Sequence, residues 1–323
     1  MTILSKHDDF PGKPGKSRNF DKFNFKPPLP VRDGVSPSYI WLPHGPWGTL
    51  LSFLNERFPN VEDTTWRSRM DRGEVVNAQG VRMVAGSLYH PGDCIFYYRE
   101  LELETSIPFT ESILYQDEHL LVADKPHFLP VIPSGRFLHE TLLVRLKKKT
   151  GLKHLTPIHR IDRETAGIVV FSHNMRTRND YQSLFQKREI EKVYEAYAKY
   201  LTGVKFPFVY RSRMVEGTPF FRMQETDGES NSETCIDILE QGSDATLYRL
   251  RPLTGKKHQL RVHLAALGIP IINDPFYPVA QACKGDDMSL PLQLLARSIS
   301  FRDPLNGQTR YFESGKKLVL TEG

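Results

Sequence analysis

The chain has 323 residues, 39% hydrophobic and 25% charged, a composition that suits one large domain or two unequal ones and excludes wholesale disorder. The longest apolar run, Leu264 to Ile272, is broken by Gly268 and Pro270 and falls far short of the ~20 residues a bilayer-spanning helix needs; with no apolar stretch after Met1, a cytoplasmic protein without a membrane partner is expected. The net charge of +5 permits a polyanionic partner, and Cys94, Cys235 and Cys283 form neither a C-x-x-C pair nor a metal-ligand spacing, so neither a zinc site nor a disulfide framework is expected.

Residues 1–45 carry seven Lys/Arg against four Asp, and eight of the 23 prolines fall within the first 46 residues. With no sustained helical or strand period, this stretch reads as an extended arm whose Phe20, Phe23, Phe25 and Trp41 could dock on a neighbouring surface.

Residues 46–104 read as a small α/β domain. Leu50, Leu51, Phe53, Leu54 and Phe58 recur at helical spacing until Pro59. Thr64 or Thr65 could cap a second helix that turns Trp66 and Met70 inward, presents Arg67, Arg69 and Arg72, and stops at Gly73. Strand-like pieces follow at Val75 to Asn77, Val81 to Val84 and Cys94 to Tyr98. This order resembles the small RNA-binding module first seen in a ribosomal small-subunit protein, which makes Arg67, Arg69 and Arg72 the expected RNA contacts. Six Arg, no Lys and nine acids give the segment a charge of −3, so such contact would rest on that arginine face.

Leu101 to Pro108 reads as a linker into the third segment, residues 105–323. A hairpin is expected over Ile113 to Lys125, then a helix marked by Leu138, Leu142 and Leu146 that ends in Lys147, Lys148 and Lys149, charges that suit a helix C-terminus whether or not they also meet phosphates. Ile168 to Ser172 is a buried strand, Tyr181, Leu184 and Phe185 mark a helix, and Val193 to Lys199 alternates as a strand. Thr234 to Leu239 and Ala245 to Arg251 read as two more strands, and His258 to Leu267 as a helix.

Three places concentrate polar groups beside apolar strands. His159-Arg160-Ile161-Asp162-Arg163-Glu164-Thr165-Ala166-Gly167 sets a carboxylate between two guanidinium-bearing neighbours, which favours its ionised form and suits either a structural ion pair or a nucleophile. Arg251 to His263 joins a strand through Gly255 to a helix start crowded with Lys256, Lys257 and Arg261; that crowding opposes the helix dipole unless an anion sits there. Tyr194, in Lys192-Val193-Tyr194-Glu195-Ala196, is by position alone an ordinary core tyrosine.

Together, "H-R-I-D-R-E-T-A-G", "K-V-Y-E-A" about thirty residues later and "R-P-L-T-G-K-K-H-Q-L-R-V-H-L-A-A-L-G-I-P-I-I-N-D-P-F-Y", with "V-A-D-K-P" before them and "L-L-A-R-S-I-S-F" after, closely resemble the RluA-like pseudouridine synthase family. The resemblance covers Ile113 to about Phe312 and implies an α+β fold with a mixed, mainly antiparallel central sheet flanked by helices. It makes Asp162 the catalytic aspartate, Tyr194 the tyrosine against the target base, Arg261 the partner of the aspartate and Arg160 the arginine that fills the gap left by a flipped nucleotide. Thr165, His258 and Gln259 are the further substrate-binding positions expected. Ile161, Ala166, Lys257 and Asn273 stand where Leu, Ser, Thr and Gly are usual in the family, and His127-Phe128 replaces a small Ala-Gly-like pair.

The implied reaction breaks the N1–C1′ bond of a uridine, turns the uracil and bonds C5 to the same sugar carbon. It needs no redox step, so neither a metal nor a nucleotide cofactor is expected. The uridine must leave the base stack, at a cost of a few kcal/mol, and loops or bulges of rRNA or tRNA are the expected partners, with no obligate protein partner implied. Two rivals are a catalytically silent RNA-binding protein and a glycoside hydrolase, which would need a second carboxylic acid as proton donor.

Overall fold

A computed structural model describes residues 27–101, 103–219, 221–281 and 287–320; Phe20, Phe23, Phe25 and Cys283 lie outside the described residues. The chain divides into two compact units after Leu101.

The first unit contains β1 (Ser38–Trp41), α1 (Leu50–Arg57), α2 (Asp63–Asp71), β2 (Val75–Asn77) and β3 (Cys94–Tyr97). β3 lies between β1 and β2 and is antiparallel to both. α1 starts at a capping box in which the Thr49 hydroxyl accepts from the Ser52 N–H and the Ser52 hydroxyl accepts from the Thr49 N–H. Leu50, Phe53 and Leu54 then meet Trp66 and Met70 of α2 and Ile95 of β3 in a common core.

Three expectations for this unit need correction. Ser38–Trp41 is a strand of the small sheet and not part of a separate arm; at four residues between Pro37 and Pro43 it is too short to show a period. α2 begins at Asp63, with Glu62 in the capping position and no side-chain cap from Thr64 or Thr65. Val81 to Val84 forms no strand: only Arg82 bridges to Val76, and Val81 and Val84 are exposed.

The second unit runs β4 (Ser112–Gln116), β5 (Leu120–Lys125), α3 (Leu142–Thr150), β6 (Thr156–Pro157), β7 (Ala166–Ser172), α4 (Arg178–Lys187), β8 (Ile190–Ala198), β9 (Phe208–Glu216), β10 (Met223–Thr226), β11 (Ser232–Gln241), β12 (Thr246–Pro252), α5 (Gln259–Ala266), β13 (Leu294–Arg302) and β14 (Thr309–Glu313). These strands form one 11-stranded sheet in the order β10-β9-β11-β12-β8-β13-β7-β5-β4, with β14 on β13 and β6 on β7. The pairing of β13 with β7 is parallel and the other pairings are antiparallel, so the sheet is mixed and mainly antiparallel, an α+β architecture.

Helices cover both faces where the site forms. Leu121, Ala123, Val169 and Phe171 bury one face of β5 and β7 under Leu142 and Leu146 of α3. Leu120, Val122, Ile168 and Val170 bury the other under Tyr181 and Leu184 of α4. A strand covered on both sides needs no polar alternation, which explains the continuous apolar runs of these two strands. α5 packs Leu260 and Leu264 against Ala196, Ala198, Tyr248 and Leu250.

The segment after Leu101 is tied into this second unit. The Glu104 carboxylate accepts the backbone N–H groups of Leu138, His139 and Glu140 at 2.6–2.9 Å, and Arg145 donates to the Ile107 and Phe109 carbonyls. A boundary at 104 would sever that anchor, so the boundary belongs at Leu101.

Candidate active site

The loop His159 to Thr165 delivers Asp162 to the point where β7 begins, and Gly167 explains how the strand begins there. Its φ is +111°, and a Cβ at that position would stand 2.2 Å from the Ala296 carbonyl oxygen of β13. Only glycine lets the two parallel strands close at the foot of the loop.

On the other side, α5 brings Arg261 to the same point. Its guanidinium is completely buried and holds three carboxylates. Nε and Nη2 donate to the two oxygens of Asp274 at 2.9 and 2.6 Å, while Nη1 donates to Asp162 Oδ2 at 3.1 Å and Glu164 Oε2 at 3.4 Å. Phe276 and Tyr277 lie 4.7 and 5.5 Å from the guanidinium carbon. Burial works against the charge of Arg261, and the bonds to Asp274 more than reverse it, so its pKa rises.

The three carboxylates are not equivalent. The Asp274 side chain is 0% exposed and that of Glu164 5%, whereas that of Asp162 is 25% exposed. Asp162 is therefore the most open of the three, Glu164 meets the cavity with little of its surface, and Asp274 lies behind both. Burial raises the pKa of Asp162, but His258, Arg261 and Lys125 outweigh it and hold the carboxyl below its ordinary value. Arg261 carries that attraction near neutrality, because burial depresses His258 and leaves its ring uncharged there. Asp162 Oδ1 stands 3.8 Å from His258 Nε2, beyond hydrogen-bond reach, and is left free to meet a substrate.

Asp162 opens into a cavity of about 1110 Å³ lined also by Arg136, Arg160, Tyr194, Lys256 and Lys257. Arg160 is exposed, and its guanidinium makes no ion pair or hydrogen bond to a described residue. Tyr194 sits on β8, half-buried against the core shared with α5, and burial followed by the nearby Asp162 charge raises its phenol pKa, so the ring stays neutral. The structure thus gathers Asp162, Tyr194, Arg261, Arg160, Thr165, His258 and Gln259 around one cavity.

Within that group His258 and Gln259 are largely occupied. His258 caps α5 at φ +55° and pairs its Nδ1 with the Tyr277 hydroxyl at 2.9 Å. Gln259 Nε2 donates to the Glu233 carbonyl and Thr234 Oγ1, and its Oε1 accepts from Thr254 Oγ1 and the Lys256 N–H. Both amide ends of Gln259 are spent on shaping the turn at Gly255, so the expectation that it holds substrate is corrected to one of supporting that turn. Thr165 is buried and donates its N–H to the Asp162 carbonyl at 3.2 Å, closing the loop behind the carboxylate.

Residues 119–266 match the family model described as RNA pseudouridylate synthase. The dual-specificity RNA pseudouridine synthase RluA of Haemophilus influenzae is 32% identical over 209 residues, which are 62% of this chain and 91% of that protein. The chain belongs to the RluA-like family of RNA pseudouridine synthases. Another relative, an uncharacterized RNA pseudouridine synthase of Synechocystis, is 26% identical over 238 residues, covering 71% of this chain and 79% of its own length. Among solved structures, human RNA pseudouridylate synthase domain containing 1 aligns with a TM-score of 0.54 at 21% identity over 66% of this chain and 86% of that one, a likeness of fold.

Several residues of this pseudouridine synthase-family site went without a role in the sequence reading. Asp274 and Glu164 complete the grip on Arg261, and the fully buried Lys125 donates from Nζ to the carbonyls of Pro126, Leu129 and Arg163 at 2.8–3.0 Å. Burial lowers the Lys125 pKa to about 7 against the pull of Glu164 and Asp162. Lys125 and Asp274 stand inside quoted motifs, "V-A-D-K-P" and "I-I-N-D-P-F-Y", so the signal was there without the partner. Asn273, in place of the usual Gly, keeps φ at +60°, a left-handed turn that Asn tolerates.

The arginines of the first unit also need correction. Arg69 is buried, lies over Trp66 at 5.0 Å and pairs with Glu100, so it presents no surface to RNA. Arg67 pairs with Asp63, and Arg72 with Glu74 and Glu100. Arg67 and Arg72 remain 54% and 45% exposed, leaving two partly neutralised cations in place of a face of three.

Proposed function

We propose that the chain isomerises specific uridines of structured RNA, rRNA or tRNA, to pseudouridine, with Asp162 as the catalytic carboxylate, Tyr194 as the surface for the extruded base and Arg261 as the group that fixes Asp162. One observation carries the reading: of three carboxylates on one buried guanidinium, Asp162 lines the cavity with the most exposed side chain, 25% against 5% for Glu164 and 0% for Asp274.

The geometry fits the chemistry. Arg261 binds Oδ2 and orients the carboxylate without covering Oδ1. The neutral phenol of Tyr194 offers an aromatic face to an unstacked pyrimidine, and stacking of this kind is worth about 1–3 kcal/mol per base. The unpaired Arg160 is suited to fill the duplex position that the uridine vacates, and exposed Lys256 and Lys257 to meet phosphates. The cavity, at about 1110 Å³, exceeds the roughly 300–1,000 Å³ typical of small-molecule pockets and suits a nucleotide still attached to its neighbours.

A glycoside hydrolase reading lacks its acid. Glu164, the second carboxyl group on Arg261, also accepts from Arg163 at 3.0 Å, so both its oxygens are held by guanidinium groups and its side chain is only 5% exposed, which suits an ionised anchor and not a proton donor.

Tritium release from transcripts carrying C5-tritiated uridine, followed by mapping of the modified position, tests the assignment. Wild-type protein should release tritium, and Asp162→Asn should lose at least roughly 1,000-fold in rate while binding RNA nearly as well. Equal turnover by the variant, or free uracil as product, would reject it.

A further inference from the structure

The exit from β5 grips the Asp162 loop from beneath, and this grip includes His127, which stands where the family resemblance has a small residue. Lys125 Nζ holds the Arg163 carbonyl, and His127 Nδ1 lies 2.7 Å from the next carbonyl along, that of Glu164. A carbonyl only accepts, so the partner fixes His127 as the Nδ1–H tautomer. Phe128 follows at φ +65°, in the left-handed region that a bulky residue rarely enters. It is held there by burial and by stacking on Phe109 at 5.9 Å and 27°. Backbone strain beside a site persists where the surroundings over-determine it, and here the turn carries the imidazole to the loop.

We propose that His127 is a positioning residue for Asp162, a role that rests on the isomerase reading above. Glu164 is the link. Its carbonyl is anchored by His127 while its carboxylate binds Arg261 Nη1 and Arg163 Nε. The N–H of the next residue, Thr165, bonds the Asp162 carbonyl. A shift of the Glu164 peptide therefore moves both partners of the Asp162–Arg261 contact. Burial lowers the His127 pKa to about 4, so the ring stays neutral and its tautomer constant through the physiological range.

Two variants of the full chain separate this role from simple packing. In His127→Asn the amide nitrogen takes the place of Nδ1 and keeps the donor, whereas His127→Leu keeps bulk and removes it. On C5-tritiated uridine transcripts, His127→Leu should lose roughly tenfold in kcat with KM within about twofold, and His127→Asn should recover most of that loss. Hydrogen exchange gives a readout that needs no activity: the Thr165 amide should exchange faster in His127→Leu than in wild type and His127→Asn, with the amides of β7 unchanged. Unaltered Thr165 protection and kcat in His127→Leu, or an Asn variant as impaired as the Leu variant in both, would overturn the proposal. Tritium release lost in the wild type itself would instead reject the isomerase reading, and the exchange data would still decide the anchor.

Discussion

Arg261 can hold Asp162 with one nitrogen because Asp274 clamps the other edge of the same guanidinium, with both oxygens of Asp274 engaged at 2.6 and 2.9 Å. Asp274 Oδ1 also accepts the N–H groups of Phe276 and Tyr277, so the turn after Ile271, which bridges to Ala198 of β8, and the Arg261 side chain of α5 are locked together. Planar two-point contacts of this kind fix orientation as well as charge.

Asp274→Ala should therefore impair tritium release although it never touches the cavity. Removing one partner of a buried ion pair costs up to about 3–5 kcal/mol where the other charge is left alone; here Asp162 and Glu164 stay on Nη1 and soften the loss, while Nε and Nη2 go unpaired. The expected outcome is a lowered midpoint in urea together with a large loss of kcat in the fraction still folded. A variant with wild-type stability and rate would show that Asp162, Glu164 and the two aromatic rings hold Arg261 without the clamp.

Gly167→Ala should destabilise the unit by about 1–3 kcal/mol or more, since the new methyl meets the Ala296 backbone at 2.2 Å and the left-handed φ is retained. Denaturant unfolding checks this. An unchanged midpoint would mean that β7 and β13 separate freely.

Acid should weaken the fold before it neutralises Asp162. Burial lowers His159 to about 3 and His127 and His263 to about 4, against 6.5 for an open imidazole. Between these values the unfolded chain binds protons that the folded chain refuses, so stability is full above about pH 6.5 and falls as pH drops toward 4. Asp162, held below its ordinary 3.8, stays ionised through that window. Melting temperature should fall steadily from pH 6.5 to 4; a flat profile would contradict the burial of these rings.

On the reading of the first unit as an RNA-contacting module, removal of residues 1–101 should weaken RNA binding by about tenfold or more, while single-turnover conversion at saturating enzyme changes little. The cut must spare Glu104, whose carboxylate holds the backbone before α3. Unchanged affinity would give the first unit a structural role.

Much of this organisation could be read from the chain. The apolar run of β7, the helical spacing of Leu50, Leu51, Phe53 and Leu54 in α1 and the helix after Gly255 are local patterns with local causes, and the structure shows each. Asp162 and Arg261, 99 residues apart, could be paired only through the family resemblance, because no local period joins a loop to a distant helix. Arg69 shows the opposite failure. Residues two apart on a helix point to different faces, so Arg67 and Arg69 could not share a surface, and Trp66 draws the latter inward. Leu138 continued the spacing of Leu142 and Leu146 but stands before the helix, since Glu104 takes its N–H and Thr141 supplies the cap. Gln259 is polar beside a basic turn, which reads as a ligand contact until Glu233 and Thr234 are seen to fill its bonds.

The placement of β13 has a consequence for how the molecule is made. This strand, residues 294–302, is the seam between β8 on one side and β7 on the other, so a nascent chain released only as far as residue 293 holds two half-sheets with open edges. Contacts that wait on such distant partners raise contact order and slow folding, and exposed strand edges invite pairing with other chains. During translation this protein should thus lean on chaperones until its seam strand emerges, and the Asp162 loop acquires its floor at Gly167 only in that last step.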